Sequence, residues 1–134
     1  MIVADTNLVV YLLLNGDYTI AAEAARAKDR QWLVPSLFRH EFLNVLTTYV
    51  RTGRLTRDAA LRVHRRGLAL VHFADVEAKA SDVFNLALRG GCAAYDAEFV
   101  WLAMEFAIKL VTTDRAIIKA FPDVVVDIEE FSSK

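Results

Sequence analysis

Apolar positions along this chain follow two alternating patterns. Short continuous runs occur at IVA (residues 2–4), WLV (32–34), LALVHF (68–73), KLVTT (109–113) and VVVDI (124–128). Their length and β-branched content predict buried strands, the third of them around residues 70–73. Between these runs, apolar residues return every three or four positions, the period of a helix with one buried face. That spacing predicts helices over residues 7–14, 17–28, 37–51, 57–68, 76–89, 94–107 and 114–121. Ser36, Thr56 and Asp75 are expected N-caps, and Asn15-Gly16, Gly53 and Gly90-Gly91 are expected stops.

Strand and helix alternate from end to end, which implies a parallel sheet covered by helices on both faces, a three-layer α/β/α arrangement. In open sheets of this kind, ligands bind beyond the carboxyl ends of the strands. Asp5 directly follows the first strand and Asp114 follows the fourth, so both are expected at that edge.

Composition narrows the class. The chain has 134 residues, 55% of them hydrophobic, with 5 Gly and 2 Pro, which suits one domain over residues 1–134 with little linker. No run reaches the roughly 20 apolar residues of a membrane helix, and the start lacks the features of a secretory leader. Cys92 is the only cysteine, so no internal disulfide forms, and a cytoplasmic location is expected. The net charge of −1 conceals a basic stretch, RTGRLTRDAALRVHRRG, in which Arg51, Arg54, Arg57, Arg62, Arg65 and Arg66 meet one acid, Asp58. Read alone, that stretch is a solvated helical face.

Four acids stand out from the rest. Asp5 and Asp114 end strands, although each, taken singly, reads as a cap of the helix that follows. Glu41 borders the apolar stripe formed by Phe38, Phe42, Val45, Leu46 and Tyr49, and Asn44 shares its face. Asp96 is followed at three, four and seven residues by Phe99, Val100 and Ala103, which sets it on the core side of its helix, with Glu98 and Glu105 opposite. Like charges 4 Å apart repel by about 4 kcal/mol at an effective dielectric near 20. Gathered carboxylates therefore stay ionised only with cations among them. Mg²⁺ or Mn²⁺ suits an all-oxygen set. His40, His64 and His72 are too dispersed for a zinc site, and Cys92 lacks a neighbouring base.

The motifs MIVADTN, RHEFLN, AYDAEF and LVTTDR, in this order across the whole chain, resemble those of a PIN domain, and within that family the VapC-type toxins of toxin–antitoxin pairs. The resemblance implies a five-stranded parallel sheet and a metal-dependent ribonuclease. It implies a ligand and catalytic set of Asp5, Glu41, Asp96 and Asp114, with Asn7, Asn44 and Thr112 in support and Mg²⁺ or Mn²⁺ as cofactor. It also implies an RNA substrate, a cognate antitoxin and a homodimer. Arg51, Arg54, Arg62, Arg65 and Arg66 then become candidate contacts for RNA phosphates or an acidic antitoxin segment. Asp114-Arg115-Ala116-Ile117 lacks the further acid that some members carry, which leaves one or two ions open. A phosphoacceptor receiver domain would want adjacent acids after the first strand and a late Lys. A haloacid-dehalogenase-like phosphatase would want an acid at Asn7. The remaining alternative is a non-catalytic or solitary PIN-like RNA-binding or scaffold protein.

Overall fold

The computed structural model describes residues 1–133. Five strands, β1 (Ile2–Ala4), β2 (Trp32–Val34), β3 (Val71–Phe73), β4 (Leu110–Thr112) and β5 (Val125–Asp127), form one sheet in the order β3-β2-β1-β4-β5. Every pairing is parallel. β1, β2 and β4 are buried along their whole length, as expected for strands covered on both faces. The predicted α/β class and all five strand positions are found.

The helices are α1 (Thr6–Leu13), α2 (Thr19–Lys28), α3 (Phe38–Arg51), α4 (Arg57–Leu70), α5 (Ala80–Gly90), α6 (Ala94–Phe106), α7 (Arg115–Ala120) and α8 (Ile128–Ser133). Helices α1 to α4 pack on one another as one layer. Helix α6 packs on β1 and β4 and carries α5, which also meets α7, as the other layer. The strand order requires this division, because right-handed crossovers that move in opposite directions from β1 place their helices on opposite faces. The direction reverses between β1 and β4. That is the switch point, where a parallel sheet opens a crevice at its carboxyl edge.

Three helix starts differ from expectation. Helix α3 begins at Phe38 with no side-chain cap. Ser36 is occupied elsewhere, since its hydroxyl donates to Glu77 Oε1 at 2.9 Å. Residues 74–79 are not helical, so α5 starts at Ala80 and Asp75 does not cap it. Helix α2 starts at Thr19, whose hydroxyl instead ties down the preceding turn through Gly16 N, Tyr11 O and Leu14 O. Thr56 caps α4 as expected, accepting from Ala59 N at 3.1 Å.

Helix α8 has no counterpart in the sequence reading. It is short and polar, with Ile128 its one buried residue. It exists through packing on α2. Ser132 Oγ donates to Ala21 O at 2.8 Å, and Lys28 Nζ donates to Phe131 O at 2.7 Å while lying over the Phe131 ring. No described helix is long and apolar enough to cross a membrane.

Candidate active site

All four singled-out acids stand at the N-terminal end of a helix. Asp5 precedes α1 and Asp114 precedes α7, while Glu41 and Asp96 lie in the first turns of α3 and α6. A parallel sheet with intervening helices directs those ends toward the carboxyl edge of the strands. The positive ends of the helix dipoles offset part of the repulsion among the acids.

The two strand-end acids are used differently. Asp114 does cap its helix: Oδ1 accepts from Ala116 N at 3.0 Å and Ile117 N at 3.3 Å. Asp5 makes no side-chain cap bond. Its Oδ2 accepts the Thr112 hydroxyl at 2.7 Å. The register brings these two together, because Ala4 pairs with Val111 and the next residue on each strand is Asp5 and Thr112. Thr112 Oγ1 also accepts from Asp114 N at 3.1 Å, so one hydroxyl connects both acids.

Glu41 is held from α1. The Thr6 hydroxyl donates to Glu41 Oε1 at 2.7 Å. Thr6 was not among the residues expected to matter. Its only mark in the sequence is adjacency to Asp5 at a helix start, where a hydroxyl usually serves as a cap.

The electrostatics record a crowded anionic site. Burial pushes the Asp5 carboxyl up to about 6, and Glu41 and Asp96 add to this, while the Thr112 hydroxyl and Thr6 amide pull it back. Glu41 is raised by burial, with Asp96 and Glu98 contributing and the Thr6 hydroxyl opposing. Asp96 is raised by burial and then by Asp114. Glu98 departs from its expected place on the wet face: it is half-buried and itself raised by burial and by Glu77.

Asp5, Glu41, Asp96 and Asp114 line one cavity of about 220 Å³, together with Thr6, Asn7, Asn44, Val45 and Thr113. Asn7 and Asn44 are each exposed at the cavity wall. A smaller recess of about 20 Å³ adjoins it and shares Asp5, Asp96 and Asp114. Nevertheless, among the described residues no group of three or more His, Cys, Asp or Glu side chains is arranged to hold a metal ion as it stands. The donor chemistry fits a hard divalent cation, since all donors at the cavity are oxygens and their mutual repulsion is the kind a cation relieves. The closed cage is not formed.

A family model for the PIN domain matches residues 2–122. The chain belongs to the PIN domain family. It is 29% identical over 130 residues to the curated Ribonuclease VapC3 of Pyrobaculum aerophilum, covering 92% of this chain and 97% of that protein. It also resembles the crystal structure of PAE2754 from Pyrobaculum aerophilum, with a TM-score of 0.78 at 23% identity, covering 98% of this chain and 85% of the other. The second likeness bears on the fold alone. The resemblance drawn from the four motifs is thus correct at the level of the family.

The other candidate residues of this PIN domain lie apart. Arg51, Arg54, Arg62, Arg65 and Arg66 are exposed and none lines the carboxylate cavity. Arg51 instead borders an apolar groove between α3 and α4, with Arg57 and His64. Arg54 lies over the Tyr49 ring, 4.0 Å from its centre. His64 stacks on Phe42. Cys92 is half-buried with its thiol pushed up by burial, which suits packing rather than nucleophilic chemistry.

Proposed function

We propose that this PIN domain is a divalent-metal-dependent endoribonuclease, the toxin of a toxin–antitoxin pair. The observation that carries the reading is the convergence of Asp5, Glu41, Asp96 and Asp114 on one cavity at the switch point of the sheet. The likeness to a protein named Ribonuclease VapC3 supports RNA as the substrate and an antitoxin as the partner.

Asp5 and Asp96 would hold a central Mg²⁺ or Mn²⁺, and Glu41 and Asp114 would share it or hold a second. The ion supplies positive charge opposite the phosphodiester and acidifies water for attack on phosphorus. The chain's own residues do the rest. Thr112 fixes Asp5 and, through the Asp114 amide, the start of α7. Asn7 and Asn44 present amide groups at the cavity wall, where they can hydrogen-bond phosphate oxygens or water. Glu41, held by the Thr6 hydroxyl at the cavity wall, is placed to orient the attacking water. Exposed Arg51, Arg54, Arg62, Arg65 and Arg66 track RNA phosphates outside the cavity or meet an acidic antitoxin segment. Exposed Phe84 and Leu88 on α5 support pairing of two copies.

One observation favours a second reading, a PIN-fold RNA-binding or scaffold protein with a weak metal site: no metal-holding group is preformed among the described residues. Digestion of total cellular RNA separates the two. The nuclease cuts with Mg²⁺ or Mn²⁺ and stops when EDTA is added. Binding of RNA without any metal-dependent cutting supports the scaffold.

A further inference from the structure

We propose, resting on the nuclease reading, that Thr6 is a positioning residue: its hydroxyl fixes Glu41 so that the second carboxylate oxygen stays in the cavity for a divalent cation. Thr6 and Thr112 are the two buried polar residues among those described, each 3% exposed. Each donates its hydroxyl at 2.7 Å to one acid of the cavity. The corner between β1 and α1 is therefore a double connection. Asp5 receives a hydrogen bond from β4, and the next residue gives one to α3.

A helical threonine ordinarily bonds the carbonyl four residues back. Thr47 and Thr48 of α3 and its C-cap Thr52 do so, donating to Leu43 O, Asn44 O and Thr48 O. Thr6 is the first residue of α1 and has no such helical carbonyl behind it. Its hydroxyl goes to Glu41, 35 positions away. Threonine's β-branch restricts χ1, so a buried Thr6 can aim its hydroxyl in few directions, and here it is aimed at Glu41. Glu41 needs such a hold, because the negative charges of Asp96 and Glu98 both act against it. Among the described residues nothing hydrogen-bonds Glu41 Oε2, so that oxygen remains available to a ligand.

The test compares wild type, Thr6→Val and Thr6→Ser by Mn²⁺ titration calorimetry and by RNA cleavage kinetics. Valine keeps the shape and removes the hydroxyl. It should weaken Mn²⁺ binding and lower kcat by about 10–100-fold, with KM for RNA changed less than about twofold. Serine should restore both. In a Glu41→Ala background, Thr6→Val should weaken Mn²⁺ binding no further. An equal loss in both backgrounds overturns the proposal, as does wild-type Mn²⁺ affinity and kcat in the valine chain. Thr6→Ala serves the same comparison if the valine chain does not fold. Thr6→Val cleaving like wild type sinks the role of Thr6 and leaves the nuclease standing, whereas a wild-type chain that binds no Mn²⁺ overturns both.

Discussion

Thr112 gives its hydroxyl to Asp5 at 2.7 Å across 107 positions of sequence, joining the ends of the two strands that flank the switch point. This bond keeps Asp5 turned into the cavity instead of over the amides of α1, where an acid in its place would ordinarily cap. Thr112→Val leaves a carboxylate oxygen without its donor, at a cost of about 1–3 kcal/mol. The Asp5 carboxyl should rise further above about 6, and RNA cleavage should fall. Thr112→Ser should remain near wild type. Thermal melts and initial rates of the two variants check this.

Gathering acids destabilises the metal-free protein. Asp5, Glu41 and Asp96 all have folded-state values raised above the ordinary carboxylate range. The folded chain therefore holds protons that the unfolded chain has released, and its stability falls as pH rises from the unfolded value toward the raised one. For Asp5 that window runs from 3.8 to about 6, and the loss is on the order of 2–3 kcal/mol by pH 7. Protein kept in EDTA should melt higher at pH 5 than at pH 7.5, and Mn²⁺ added at pH 7.5 should recover the difference.

Asparagine at either central acid removes charge while keeping shape. Asp5→Asn and Asp96→Asn should each abolish metal-dependent cleavage. Both should also melt higher than wild type at pH 7.5 in EDTA, because a repelling buried charge is gone. Loss of activity through unfolding would show the reverse shift, so melting curves beside activity assays distinguish the two.

Gly67 makes room for Phe42, the residue after Glu41. A Cβ at Gly67 would stand 2.3 Å from Phe42 Cε2, and Phe42 is fully buried against α4. Gly67→Ala should cost about 1–3 kcal/mol by overpacking, read as a lowered midpoint in urea. Because the displaced ring adjoins Glu41 on α3, activity should drop at temperatures well below the melt.

The arginines of α4 do not line the cavity, so their contribution should be electrostatic and separable. Replacing Arg62, Arg65 and Arg66 with Glu should raise KM for RNA and flatten its dependence on salt, with kcat largely kept. A cleavage assay from 50 to 200 mM salt measures this.

What the sequence disclosed follows from what each feature depends on. The three central strands were legible because buried parallel strands are continuous apolar runs, as in IVA and WLV, and the partly buried edge strands β3 and β5 still carry apolar runs long enough to show. Glu41 and Asp96 were legible because each breaks a local rule, one beside an apolar stripe and the other on a core face, whereas Asp5 and Asp114 read singly as helix caps and joined the set only through the four-motif resemblance. Thr6 was not legible, since a threonine after an acid at a helix start is unremarkable until α3 is laid against it. Ser36 and Asp75 misled for a related reason. Their capping potential is local, whereas the bond from Ser36 to Glu77 joins residues 41 positions apart. Helix α8 depends on contact with α2 and has almost no apolar signature of its own.

The claim that these carboxylates share a cation is tested most directly by anomalous diffraction from crystals grown with Mn²⁺. The expected map has a peak in the cavity that Asp5, Glu41, Asp96 and Asp114 line. A cavity without a peak at saturating Mn²⁺, or manganese bound only elsewhere on the chain, would contradict it.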